Sequence, residues 1–214
     1  MDVVLDNLDA YLEGMRNTAV LTVVSFAAAF GIGIVIAAFR VSPVPPLRAA
    51  GALWVESLRN TPLAVLFVLF FFGLTKVGIQ YSPLVSALIV LSLYTSTYVA
   101  ETVRAGVNSV SRGQAEAARS LGLTFPQVLT RIVMPQALRT VVAPLGSVFI
   151  ALIKNSGIAA TIAVMDLTGV ARSLSESTGR SVAAFLGAAV AYLILALPSG
   201  WGVDVLERRV AIKR

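Results

Sequence analysis

The chain reads as an all-α polytopic membrane protein with five transmembrane helices, N-terminus outside and C-terminus inside. Three observations lead there. Of the 214 residues, 57% are apolar and only 13% charged, about half the ~25% charged content of ordinary soluble domains. Mean hydropathy is +0.85. The apolar residues also fall in runs about as long as a bilayer is thick. Cys and His are both absent. That excludes disulfides, thiolate clusters, Ser-His-Asp catalysis, histidine proton relays and most zinc chemistry.

The elements follow in order. The opening residues carry Asp2, Asp6, Asp9 and Glu13 against Arg16 alone. A secretory signal starts positive and ends in a small-residue cleavage site, so the N-terminus is expected to be kept. Residues 19–39 hold no charge and make a helix of roughly 31 Å, enough to cross a bilayer core. Arg40 closes this span, and Ser42-Pro43-Val44-Pro45-Pro46 makes a stiff connection. A second span covers 49–75, with Glu56 and Arg59 inside it, and a third covers 83–100. Residues 101–137 are mostly polar and helical. The fourth span covers 138–158 and contains Lys154. The fifth covers 181–203 and is closed by Asp204, Glu207, Arg208, Arg209, Lys213 and Arg214.

Five spans put the ends on opposite sides, and the distribution of Lys and Arg decides which. With the N-terminus outside, the inner side carries Arg40, Arg48, Arg104, Arg112, Arg119, Arg131, Arg139, Arg208, Arg209, Lys213 and Arg214. The outer side carries Arg16, Lys76, Arg172 and Arg180. This bias accounts for the net charge of +6 without a nucleic-acid partner.

The inner loop has the most specific pattern. Gln114 to Leu121 is rich in helix formers, and Gly122 can supply the left-handed residue that ends a helix. Phe125, Val128, Leu129 and Ile132 then repeat at helical spacing, and Pro135 leads toward the next span. The unit is a helix–Gly–helix hairpin. It fits either a surface helix on the membrane or a knob that docks into a partner.

The stretch from Tyr98-Val-Ala-Glu101 and Arg104 through Gly113-Gln-Ala-Glu116-Ala-Ala-Arg-Ser-Leu-Gly122-Leu resembles the EAA loop of ABC-importer permeases. Met134-Pro-Gln-Ala-Leu-Arg139 and Arg59-Asn-Thr-Pro-Leu63 are similar to the polar amino-acid branch, the histidine/glutamate/glutamine type. Tyr94-Thr-Ser-Thr-Tyr98, Gly113-Gln-Ala-Glu and Lys154-Asn155-Ser156 resemble the actinobacterial glutamate-uptake permeases within it. The resemblance covers residues 15 to 210. It implies the type I importer permease fold, a single transmembrane domain over residues 1–214, and a place in the cell (cytoplasmic) membrane. It implies a second permease subunit, related or identical, an extracellular solute-binding protein, and ATPase subunits that hold ATP and Mg. This chain would bind no cofactor itself, and it has no G-x-x-x-x-G-K-[ST] phosphate loop. The coupling residues implied are Gly113, Glu116, Ala117, Arg119 and Gly122. Ala115, Ala117 and Ala118 would keep the helix slim for a groove on the ATPase.

Polar groups inside the spans mark an expected path. A charge at mid-bilayer costs about 2.5–3.5 kcal/mol on insertion scales. Glu56 and Arg59 are three residues apart and read either as an ion pair near the inner interface or as a cavity-lining pair. Asn60 or Thr61 can cap a helix with Pro62 at its first position. Lys154-Asn155-Ser156-Gly157 reads as a helix break with polar side chains, either lining a substrate site or merely ending a helix with an outward-snorkelling lysine. The family shows an acid where Asn155 stands, and its absence suits an anionic substrate or glutamine better than a basic one. The expected substrate contacts are therefore Glu56, Arg59, Thr61, Lys154, Asn155 and Ser156. Gly31 and Gly33 read as helix-packing positions. Asp166, Arg172, Glu176 and Arg180 read as a solvated outer loop.

The function expected is import of a polar amino acid, glutamate first, driven by a separate ATPase. Glutamine and basic amino acids are the alternatives within the class. A non-transporting membrane scaffold for an ATPase and a stand-alone secondary transporter are the alternatives outside it. No nucleophile–base pair points to an enzyme.

Overall fold

The computed structural model describes residues 2–210, with the side chains of Asp2 and Phe125 excepted. Lys213 and Arg214, counted above on the inner side, lie outside the described residues, as does the Phe125 side chain of the hairpin repeat. The described chain is helical, without a strand. Among the described residues, four helices are each long and apolar enough to cross a membrane, and a bent pair, counted as one span, brings the number to five.

A short α1 (Asp2–Leu5) precedes α2 (Leu8–Val41), whose 34 residues enclose the expected first span and begin eleven residues before it. One face of its first turns is tied to the rest of the fold, while Leu8, Asp9, Leu12, Glu13 and Arg16 are exposed. The Tyr11 hydroxyl donates to the Ala184 carbonyl at 2.7 Å, and Asn17 donates to the Met165 carbonyl at 2.8 Å. After Ser42, Pro45 and Pro46 open α3 (Pro45–Arg59), a position where the missing N–H of proline costs nothing.

The expected second span is not one helix. α3 and α4 (Leu63–Lys76) meet at 98°. Pro62 takes φ −56°, ψ 133°; its ring fixes φ near this value and leaves it no N–H to continue α3. Thr61 does not cap α4. Its hydroxyl donates back to the Ser57 carbonyl at 2.8 Å, and Pro62 itself stands at the cap with no side-chain bond to it.

α5 (Pro83–Asn108) starts on Ser82, whose hydroxyl accepts from the Val85 N–H, and runs eight residues past the expected third span. It is the central helix. Ser92, Ser96 and Thr97 are buried, and each hydroxyl donates to a carbonyl three or four residues earlier at 2.6–2.7 Å. This local closure lets hydroxyls sit in an apolar interior. α2 packs along α5, with Gly33 against Val99. Leu21, Leu63, Phe67, Leu91, Leu152 and Ile162 form the main core, filled from α2, α4, α5, α8 and the segment after α8.

The hairpin holds α6 (Arg112–Ser120) and α7 (Phe125–Val128), and a π-helical turn joins α7 to α8 (Met134–Asn155). The expected break at Lys154 is not an unwinding. The chain tightens at Ser156 into a 3₁₀ helix that continues to Ile162. α9 (Leu167–Thr178) and α10 (Ser181–Val210) complete the fold. α10 shows Val182, Phe185, Leu186, Val190, Leu193, Ile194, Leu197 and Trp201 to the outside, the all-round apolar surface of a helix facing lipid.

Candidate substrate and coupling sites

A crevice of about 380 Å³ lies between α5 and α8, within the usual size of a small-molecule site. Tyr94, Thr95, Tyr98, Ser147 and Asn155 supply its polar wall, and Ala151 and Leu152 part of the rest. Tyr94 and Tyr98 are one helical turn apart on α5, so their rings stand together. Their hydroxyls are 2.9 Å apart and their ring centroids 5.3 Å. Arg59, delivered by the end of α3, lies with its guanidinium carbon 4.7 Å from the Tyr98 ring centroid. A cation held this way over an aromatic face gains about 0.5–2 kcal/mol.

One turn further along the same stripe, Glu101 binds two arginines. Arg40 of α2 is 3.1 Å from Oε1, and Arg104 of α5 is 2.6 Å from Oε2.

The expected substrate residues do not all meet. Arg59 and Asn155 flank this crevice. Glu56 is exposed and forms no ion pair with Arg59. Lys154 faces away from it, toward a groove on α10 lined by Ala189, Tyr192, Leu193 and Ala196. Ser156 is buried in the core, its hydroxyl donating to the Ile153 carbonyl at 2.8 Å. Consecutive helical residues are set about 100° apart, so three in a row cannot share one wall.

Asp166 is not in a solvated loop. It is fully buried and caps α9, accepting the Gly169 N–H at 2.9 Å and the Tyr192 hydroxyl at 3.1 Å. Burial pushes its carboxyl above the usual carboxylate range, and the hydrogen bond from the Gly169 N–H opposes that shift only in part. Thr18 of α2 accepts the Leu167 N–H at 3.2 Å, so the same cap ties three helices together. Arg172 and Glu176 do form an exposed pair at 2.9 Å.

In the hairpin, Gly122 takes φ +84°. Its N–H reaches the Arg119 carbonyl at 2.9 Å, and the Leu123 N–H reaches the Ala118 carbonyl at 3.2 Å. This is the Schellman closure of α6. Gly113, Glu116, Ala117 and Arg119 are exposed, and Leu121 is 81% exposed, while Ala118 is buried against its own chain. Ala118 is therefore not part of a slim outer face. Glu116 and Arg119 form no ion pair with each other. Gln114 accepts a hydrogen bond from Gln136 of α8, which ties the hairpin to the membrane helix.

In the sequence, Tyr94, Tyr98 and Glu101 enter only as motif letters, and Arg104 as a motif letter and an inner-side charge. The signal that marks them as a site was present: positions 94, 98, 101 and 105 lie on one helical stripe, and three of these four are polar.

The chain is 37% identical over 210 residues to a protein named as a probable glutamine ABC transporter permease, GlnM of Bacillus subtilis (strain 168), covering 98% of this chain and 97% of that one. It is 38% identical to GluC of Corynebacterium glutamicum, a glutamate transport system permease protein, covering 92% of each. A crystal structure described as an amino acid ABC transporter with histidines superposes with a TM-score of 0.91 at 30% identity, over 96% of each chain. The chain is a permease subunit of an amino-acid ABC importer, and ATP hydrolysis belongs to a separate chain. Residues 29–212 match the family described as binding-protein-dependent transport system inner membrane component, and the chain belongs to that family.

Proposed function

We propose that this subunit imports glutamate along a route that passes Arg59, Tyr94, Tyr98 and Asn155. One observation carries the reading. The crevice between α5 and α8 is lined by hydroxyls and an amide without a carboxylate, and the charge stacked on its wall is the cation Arg59. Such a wall favours a carboxylate ligand and disfavours a basic amino acid. A second reading has its own support: Lys154 is turned away, which leaves Arg59 as the cation at this crevice, and glutamine carries only one carboxylate to be matched.

The N-terminus lies outside and the C-terminus inside. The gathering of Arg40, Arg48 and Arg104 at one end of the bundle supports this. The exposed face of α6, with Gly113, Glu116, Ala117 and Arg119 around the Gly122 corner, docks on the ATPase that holds ATP and Mg. A second permease subunit and an extracellular binding protein complete the importer, and this chain holds no cofactor.

The test is uptake of labelled glutamate, glutamine and arginine by cells lacking the gene and restored with wild type or Arg59→Gln. Loss of glutamate uptake, restored by wild type but not by Arg59→Gln, is expected. Loss of glutamine uptake alone moves the assignment to the second reading, and loss of arginine uptake alone sinks both. Normal uptake with Glu116→Lys would refute the docking role of α6.

A further inference from the structure

At the junction of α2, α3 and α5 there is an open depression of about 370 Å³, distinct from the substrate crevice. Its lining is Arg40, Arg48 and Arg104 with Pro45, Ala49 and Ala52. Each arginine comes from a different helix, so their convergence is a product of the fold and not of a charged run. Arg40 is held in place from two sides. Its stem lies against Gly51, where a methyl would sit 3.1 Å from its Cγ, and its guanidinium meets Glu101. Arg104 also binds Glu101, through Nε and Nη2. Arg48 spends a single nitrogen, Nη1, on the carbonyls of Ser42 and Pro43. Two of the three cations thus share one carboxylate, the third meets only carbonyls, and donors remain on each guanidinium. Planar guanidinium groups match phosphate oxygens in pairs.

We propose that this depression binds the phosphate of an anionic membrane phospholipid. The surroundings select a lipid over a free ion. The cluster sits where the apolar stretch of α2 ends, and Val41, Val44 and Leu47, beside the arginines in sequence, are all exposed. A headgroup among the arginines leaves its acyl chains against that apolar edge, and anionic lipid is drawn to basic groups at this level of a membrane.

The test uses the full chain purified with its partner subunits and titrated with phosphatidylglycerol or with phosphatidylcholine of the same acyl chains. Lipid retention is counted by native mass spectrometry. One basic residue near the surface changes affinity about fivefold. Arg48→Ala is therefore expected to weaken the tightest phosphatidylglycerol step about fivefold and Arg48→Lys, which keeps the charge but not the paired donors, to weaken it less, with phosphatidylcholine unchanged in both. Equal phosphatidylglycerol affinity in wild type and Arg48→Ala, or phosphatidylcholine binding as tightly as phosphatidylglycerol, overturns the site. Displacement of the lipid by millimolar inorganic phosphate overturns the lipid assignment in favour of a free-anion site.

Discussion

Gly31 and Gly33 are two residues apart on α2, yet the structure separates their roles completely. A methyl at Gly31 would meet nothing within 4 Å. A methyl at Gly33 would sit 2.6 Å from both Cβ and Cγ1 of Val99 and 3.0 Å from the Ser96 carbonyl oxygen. Optimal carbon contacts are about 3.5–4.0 Å, so about 1 Å is missing. Rotamer change cannot supply it, because the Val99 Cβ is fixed to the α5 backbone. The two helices must part along the contact that carries Leu21 and Leu91 in the main core. Overpacking of this kind costs about 1–3 kcal/mol, and each kcal/mol lowers Tm by about 2–4 °C in a chain of this size. Gly33→Ala is therefore expected to melt about 2–12 °C below wild type in detergent, and Gly31→Ala within error of wild type. Adding Val99→Ala to Gly33→Ala removes the obstructing γ-carbon and should return part of the loss, a coupling of about 0.5–3 kcal/mol. Equal melting of the two glycine variants, or strictly additive losses in the double variant, would refute the reasoning.

Three further outcomes rest on single residues. Gly122→Ala has open space for its methyl but a φ of +84°, so it costs only the left-handed penalty of about 1–2 kcal/mol. The Leu123 amide should exchange faster while global Tm holds, and wild-type exchange at that amide would contradict the Schellman assignment. Glu101→Gln leaves Arg40 and Arg104 facing each other without their shared anion. The loss is about 1.5–3 kcal/mol, as for hydrogen bonds to charged groups, read as a lowered Tm that an unchanged melt would exclude. Asp166, whose burial raises its carboxyl above the unfolded value, penalises the fold as pH rises above that value and not below it. Asp166→Asn keeps an acceptor for the Gly169 N–H and removes the charge. Its Tm relative to wild type should therefore rise from pH 4 toward neutrality, and a pH-independent difference would show that the carboxyl is not desolvated.

The spans were legible because lipid exposure demands apolar side chains over a fixed length, and that demand is written in composition. α10 shows it plainly, with eight large apolar side chains outward between Val182 and Trp201. The hairpin was legible for another local reason: only a residue tolerant of positive φ can close α6, and Gly122 does. The fold of the segment between α8 and α10 was not legible. Asp166 looked like a loop charge because its partners, Tyr192 and the Gly169 N–H, are contributed by a different helix and by the backbone. Neither leaves a mark in the residues beside it.

The candidate site shows the limit of reading neighbours in sequence as neighbours in space. Lys154, Asn155 and Ser156 looked like one polar patch, but each step along α8 turns the side chain about 100°. The lysine goes to the α10 groove, the asparagine to the crevice and the serine to the core. Tyr94, Tyr98 and Glu101 span eight positions and yet form one surface, because four- and three-residue steps nearly close a helical turn. Arg59 meets that surface from outside the stripe: it is the last residue of α3, immediately before the 98° bend at Pro62, and its guanidinium carbon lies 4.7 Å from the Tyr98 ring centroid. A cation far away in sequence thus completes an aromatic wall that four- and three-residue steps build on α5.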